Sequence, residues 1–289
     1  MSHAQNPTLG VLFGLATAVV GSLAGAATKH LASSVSVAQI VCFQYLLSCL
    51  VCMPWIARHG LNGLKTQRIG QHLIRGLAGW GCFYTYYLAL AHTPLVDAVL
   101  LRNAAPLWVP LVVLCWSRIM VPRSHWLPMG IGFIGIILVL QPGNDSIGSW
   151  HLIGALSGLT LAISMVGTRR LSETEPTQRI LFYYFFISFL TSVPLAAHSW
   201  QPIAIGDWPL MFFVGFSIYL LMFFYTKAYS YAPASLVSPL TYFSVVFAGL
   251  LGWLIWGDQP GLLSLAGMSL VIIGGLLTVL LGKKQSLKR

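Results

Sequence analysis

The sequence predicts an all-α integral membrane protein of ten transmembrane helices, arranged as two inverted five-helix repeats with the N- and C-termini in the cytoplasm. Three observations predict it. Of the 289 residues 57% are hydrophobic and only 8% charged, too few charges to solvate a globular surface. Apolar stretches close to the ~20 residues that cross a bilayer follow one another, separated by short polar or Pro/Gly links. Once those stretches are threaded through a membrane, the basic residues gather on one side.

Taken in order, the spans are 8–31, 37–57, 72–91, 96–117, 124–141, 150–170, 178–197, 208–229, 233–256 and 261–282. Together they nearly exhaust the chain and leave no room for a soluble catalytic domain. No Lys or Arg precedes the first apolar run, so that run is expected to be a retained helix rather than a cleaved leader. With the N-terminus inside, every Lys and Arg other than Lys29 and Arg102 is assigned to an inner link or the C-terminal tail, Arg75 among them. Positive charge is held back on the cytoplasmic side during insertion, and this is the asymmetry it leaves. The outer links carry Asp145, Asp207 and Asp258, with Trp150, Trp200, Trp208 and Trp256 marking the interface.

Several function classes drop out. The net charge of +10 is scattered between apolar segments and forms no basic stripe, so nucleic acid is not an expected partner. Cys42, Cys49, Cys52, Cys82 and Cys115 all fall inside apolar segments and read as buried, inert thiols. No cluster of His, Asp or Glu lies within the spans, so neither an enzyme, a metal site nor a cofactor is expected.

Self-comparison gives the repeat. YLALAHTP (87–94) aligns with TKAYSYAP (226–233) at an offset that also places Gly135 over Gly274, and LGVLFGL (9–15) resembles IGALSGL (153–159). The expected units are a first repeat at 8–141, a second at 150–282 and a basic cytoplasmic tail at 283–289. Five is an odd number of crossings, so the second repeat enters with reversed polarity. Inverted halves can open a midplane cavity alternately to each side.

The third helix running into ALAHTPLVDAVLLRNAAPLW (89–108), the matching AYSYAPASLVSPLTYF (228–243), and the glycine-rich fifth and tenth helices resemble the drug/metabolite transporter superfamily, EamA type. The resemblance covers nearly the whole chain. It implies a ten-helix exporter or exchanger in the cell membrane, in bacteria the inner membrane, working on amino acids, nucleotide-related metabolites, organic anions or drugs. Many members carry a Glu after the fourth and ninth helices, where this chain has Arg118 with Ile119 and Asp258.

Arg102 is the most informative candidate, because burying an Arg near a helix centre costs roughly 2.5–3.5 kcal/mol on insertion scales. Either its guanidinium fork binds a substrate carboxylate or phosphate, or it is a brace paired with Asp97 or backbone carbonyls. Asp97 is the only carboxylate within a span; it either holds a coupling proton or pairs with Lys29 across helices. His92, beside it, has imidazole chemistry that suits proton coupling, or is an idle link residue. Trp80 and Tyr84 form an aromatic stripe on the third helix, and Tyr219 and Phe223 repeat it on the eighth; the two stripes would wall one central cavity or simply pack the bundle. Asn103, Ser238 and Tyr242 would supply neutral hydrogen-bonding groups, and Gln44 is either a further ligand or an interhelical hydrogen bond.

The expected function is a secondary active transporter, exporter or exchanger, of a small anionic or zwitterionic organic metabolite. The small-molecule substrate, a coupled proton or counter-substrate, and the lipid bilayer are the expected partners, with the chain a monomer or homodimer. Export of drugs or nucleoside-type metabolites is the alternative within that class; a non-transporting membrane partner subunit is the alternative outside it.

Overall fold

Backbone in lipid must satisfy its own hydrogen bonds, and every regular element among the described residues is helical. The computed structural model describes residues 7–117, 126–140, 149–172, 174–231, 240 and 242–286. The helices are α1 (Pro7–Leu31), α2 (Val37–His59), α3 (Ile69–His92), α4 (Leu95–Asn103), α5 (Ala105–Ser117), α6 (Trp126–Leu140), α7 (Ser149–Ser172), α8 (Thr177–His198), α9 (Trp208–Tyr231), α10 (Phe243–Trp256) and α11 (Leu262–Ser286). Among the described residues six stretches are long and apolar enough to cross a membrane, and α10 and the first part of α11 add two shorter apolar helices.

The fourth span is two helices, α4 and α5, where one was expected. Pro106 has no N–H to give the Arg102 carbonyl, so the regular ladder cannot continue past it. The chain turns on Ala104 instead, whose N–H bonds the Leu100 carbonyl at 2.9 Å, and α5 restarts with Leu107 N–H on the Ala104 carbonyl at 2.9 Å. Arg102 and Asn103 therefore sit at an interruption in the backbone. The matching segment before α10, with Pro233, Ser238 and Pro239, lies outside the described residues.

Helix contacts come in matched pairs under the correspondence that carries α1 onto α7, α2 onto α8, α3 onto α9, α4 and α5 onto α10, and α6 onto α11. α3 packs on α7 as α9 packs on α1; α3 packs on α8 as α9 packs on α2; α4 packs on α7 as α10 packs on α1. α2 with α8, and α6 with α11, are each their own mates. Side-chain detail repeats the pattern. A Cβ on Gly135 would stand 2.6 Å from the Gly267 carbonyl oxygen; one on Gly274 would stand 2.7 Å from the Pro128 carbonyl oxygen. Gly76 faces Ile187 where Gly215 faces Leu47, and Pro54 inside α2 is matched by Pro194 inside α8. Gly14 faces Leu240 where Gly154 faces Leu101, which registers Gly14 with Gly154, one helical turn away from the match that LGVLFGL and IGALSGL suggest.

Two sets of polar ties join link segments at opposite ends of the bundle. At the predicted outer end Ser36 Oγ is 3.0 Å from Ser199 Oγ, Gln39 Nε2 donates to the Gln201 carbonyl at 2.8 Å, and Ser34 donates to Asp207 at 2.8 Å. At the predicted cytoplasmic end Thr66 Oγ1 and Arg179 Nη1 each donate to Glu175 at 2.6 Å, and Arg179 Nε donates to the Gly63 carbonyl at 2.6 Å. Around these ends and between them, Tyr45, Tyr87, Tyr184 and Phe185 fill the core of the bundle.

Candidate functional site

Arg102 closes the last turn of α4 and points at α3. Its guanidinium carbon lies 4.7 Å from the centre of the Phe83 ring and 5.0 Å from that of Tyr86, with the Cys82 sulfur in hydrogen-bonding reach. Its Nε is buried without a partner. The four described carboxylates are all engaged elsewhere: Asp97 with His151 Nε2 at 3.9 Å, Asp258 with Lys29 at 3.1 Å, Glu175 with Arg179, and Asp207 with Ser34. The brace between Arg102 and Asp97 is thus not formed.

Asn103 does make structural bonds. Its Nδ2 donates to the Val99 carbonyl at 2.9 Å and to Ser244 Oγ at 2.8 Å, while Ser22 Oγ donates to the Ser244 carbonyl at 2.9 Å, so α4, α10 and α1 meet at one polar knot. Tyr242, the N-cap of α10, has its hydroxyl buried and unpartnered. Gln44 accepts from the Tyr87 hydroxyl and keeps a buried, unpartnered Nε2. Ser238 lies outside the described residues.

The two aromatic stripes do not wall one cavity. Trp80 and Tyr84 stack on each other, 5.2 Å apart and 11° from parallel. Tyr219 and Phe223, with Trp55, Gln178 and Lys227, line a cavity of about 350 Å³ among α2, α8 and α9 that Trp80 and Tyr84 do not reach. The reason is direction. α3 ends beside the far end of α1, where Lys29 bonds the Thr93 carbonyl at 3.0 Å; α9 ends beside its start, where Tyr231 stacks on Phe13. Matched residues on oppositely directed helices move towards opposite ends.

The coupling candidates also pair differently. Lys29 pairs with Asp258 rather than Asp97, and its Nζ sits 4.9 Å from the Trp256 ring centre. Asp97 is buried, faces His151, and shares with Asp258 the wall of a second cavity of about 360 Å³. His92 stacks face to face on Trp150 at 3.6 Å, with Nδ1 3.0 Å from the Leu88 carbonyl, and so does not touch Asp97 in an ion pair. Local sequence order suggested His92; only the packing of α7 on α4 brings His151 there. Of the cysteines, Cys49 and Cys82 are buried, but Cys42 and Cys52 are half-buried and Cys115 is exposed.

One charged residue assigned to a link is in the bundle. Arg75 is 3% exposed; its Nε donates to Thr168 Oγ1 at 2.9 Å, its guanidinium carbon lies 3.8 Å from the Tyr184 ring centre, and its Nη1 is buried without a partner. One turn earlier His72 is fully buried with both ring nitrogens unpartnered. The signal in the sequence was helical spacing: Arg75, Gly79, Cys82 and Tyr86 fall on one face of α3. Outside the spans, burial works to raise the Glu175 carboxyl pKa, but the hydrogen bonds from Thr66 and Arg179 and the Arg179 charge outweigh it and hold the group below its ordinary value.

A solved crystal structure superposes with a TM-score of 0.63 over 96% of this chain and 98% of its own, at 18% identity, and so shares the fold. The pseudopaline exporter CntI of Pseudomonas aeruginosa is 28% identical over 91% of this chain and 93% of its own length. The S-adenosylmethionine uptake transporter of Rickettsia bellii is 23% identical over 98% and 97%, and the riboflavin transporter of Vibrio cholerae 27% identical over 100% and 99%. The profile of the EamA-like transporter family matches residues 8–141 and 148–280. The chain belongs to the EamA-like transporter family and is a multi-pass membrane protein that transports small molecules, not an enzyme.

Proposed function

We propose that this protein is a secondary active transporter, an exporter or exchanger, of a small anionic or zwitterionic organic metabolite, with Arg102 as the residue that binds the anionic group. The observation that carries this reading is the half-buried Arg102 guanidinium, its Nε buried and unpartnered, held over two aromatic rings and engaged by none of the described carboxylates. A permanent buried charge without a counter-ion is costly, and an incoming carboxylate or phosphate supplies one. The break at Ala104 places that charge where the backbone is already interrupted, as at the discontinuous helices of other carriers.

Ten crossings as two inverted repeats, 8–141 and 150–282, with the termini in the cytoplasm of a bacterial inner membrane, complete the proposal. The matched helix contacts and the reciprocal Gly135 and Gly274 approaches support the repeat. The bias of Lys and Arg supports the orientation. Asn103 beside Arg102, and Gln44, Tyr242 and Trp80, each with a buried unpartnered polar atom, are proposed as secondary ligands, with Asp97, opposite His151, as the site of any coupled proton.

A second reading, transport of a flat aromatic or nucleoside-type molecule, is favoured by the cavity that Trp55, Tyr219 and Phe223 line, whose volume falls in the ligand-sized range. Relatives named for riboflavin and S-adenosylmethionine agree with it.

Purified protein reconstituted in liposomes preloaded with a metabolite mixture tests both. Counterflow of a labelled anion or zwitterion that saturates in wild type and drops at least tenfold in Arg102→Ala is the expected result. Counterflow of cations only would sink the anion reading, and an Arg102→Ala variant that exchanges anions normally would make Arg102 a structural residue; saturable exchange of nucleosides or flavins that survives the substitution would establish the second.

A further inference from the structure

Arg75 and Arg102 share more than charge. Each guanidinium lies over an aromatic ring, Arg75 is buried and Arg102 half-buried, each keeps a buried unpartnered nitrogen, and neither is paired with any of the four described carboxylates. Arg75 projects from one face of α3, and Arg102 meets that same face at Cys82, Phe83 and Tyr86. Seven residues separate Arg75 from Cys82, on the order of 10 Å along the helix.

What lies between them is a packed pair of buried phenols. Gly79, midway on the face, has no side chain, and the Tyr184 ring fills the space a Cβ would take. The Tyr45 hydroxyl donates to the Gly79 carbonyl at 3.2 Å and stands 3.0 Å from the Tyr184 hydroxyl. Two phenols thus bridge the interval between two unpaired cations.

We infer that Arg75 is a second anion-binding residue, so that the substrate carries two anionic groups, one for Arg102 and one for Arg75, with the Tyr45 and Tyr184 hydroxyls against its middle. The inference rests on the reading of Arg102 as a ligand. Thr168 and Tyr184 hold the Arg75 fork in place and leave its Nη1 free for a carboxylate or phosphate oxygen. A monoanion satisfies one arginine and leaves the other uncompensated; an α,ω-dianion of matching length neutralises both. Specificity then comes from the penalty on the ligand that leaves a buried charge bare.

Binding to the purified protein, followed by intrinsic tryptophan fluorescence, tests this apart from transport. The probes are dicarboxylates of four to seven carbons and monocarboxylates of equal chain length. Wild type is expected to bind at least one dicarboxylate tenfold or more tightly than its monocarboxylate match. Arg75→Gln should remove that preference while leaving monocarboxylate affinity within twofold, and Arg75→Lys should keep part of it. Thr168→Val, which frees the fork without deleting it, should weaken dicarboxylate binding several-fold and serves if Arg75→Gln does not fold. Absence of any dicarboxylate preference in wild type, or equal loss of both ligand classes in the variants, would overturn the second site. Dicarboxylate preference without counterflow in liposomes would instead remove the transport reading and leave the two-cation site standing.

Discussion

At the scale of single residues, the outcome turned on where charges find partners. Arg102 was legible because an Arg well inside an apolar run has no local acid to meet: Asp97, five positions away, lies on another face of α4. Arg75 was not, because hydropathy assigns a cation near the start of a span to the link before it. The pairing of Lys29 with Asp258 joins the first helix to the last described loop, and no local pattern announces a contact between such distant positions. Glu175 lends itself to a direct test. Its carboxyl sits below the ordinary value in the folded protein, so its bonds to Thr66 and Arg179 stabilise the fold above the unfolded-state pKa, near 4.5, and are lost as pH falls through the lower folded value. In detergent, Glu175→Gln should lower stability at pH 7 by about 1–2 kcal/mol, and thermal unfolding of the two proteins should converge as the pH is taken well below 4.5. A gap that stays constant across that range would mean the carboxylate charge contributes nothing.

Helices were legible in their positions along the chain wherever the structure describes them, and least so at their breaks. Pro106 signalled the interruption of the fourth span, but a proline can also be absorbed as a kink, as Pro110 is within α5. What fixes the break is a neighbour. Gly158 of α7 lies against the junction of α4 and α5, where an added Cβ would stand 2.5 Å from the Leu101 carbonyl oxygen and 3.6 Å from that of Arg102. Gly158→Ala should therefore cost about 1–3 kcal/mol and shift the Arg102 backbone, raising KM for the proposed anionic substrate. Gly70→Ala, at a helical position with nothing within 4 Å, should be neutral or slightly stabilising by comparison. Equal thermal shifts for the two variants would show that α7 does not press on the break.

On the scale of the whole molecule, the two sets of end ties define what must part if the bundle opens alternately. The set at the predicted outer end is made of neutral groups and one carboxylate; the set at the predicted cytoplasmic end centres on an ion pair. Ser36→Cys combined with Ser199→Cys, introduced where the hydroxyl oxygens are 3.0 Å apart, should form a disulfide that holds the outer end shut. In a background lacking the native cysteines, oxidation is expected to stop counterflow and dithiothreitol to restore it. Full activity of the oxidised, cross-linked protein would show that these links need not separate during transport.

The glycine approach between α6 and α11 has a consequence for how such a molecule could arise. Gly135 meets Gly267, and Gly274 meets the Pro128 region, through the same atoms read in the opposite sense. A contact of that kind is isologous: one surface recognises a copy of itself turned by half a revolution. An ancestral five-helix chain bearing that surface once would already have had what it needed to pair with a second, oppositely inserted copy. Fusing two such genes would add no new contact to the interface; it would only free each half to change independently, which is how a single Arg102 can come to stand on one side of an otherwise matched frame.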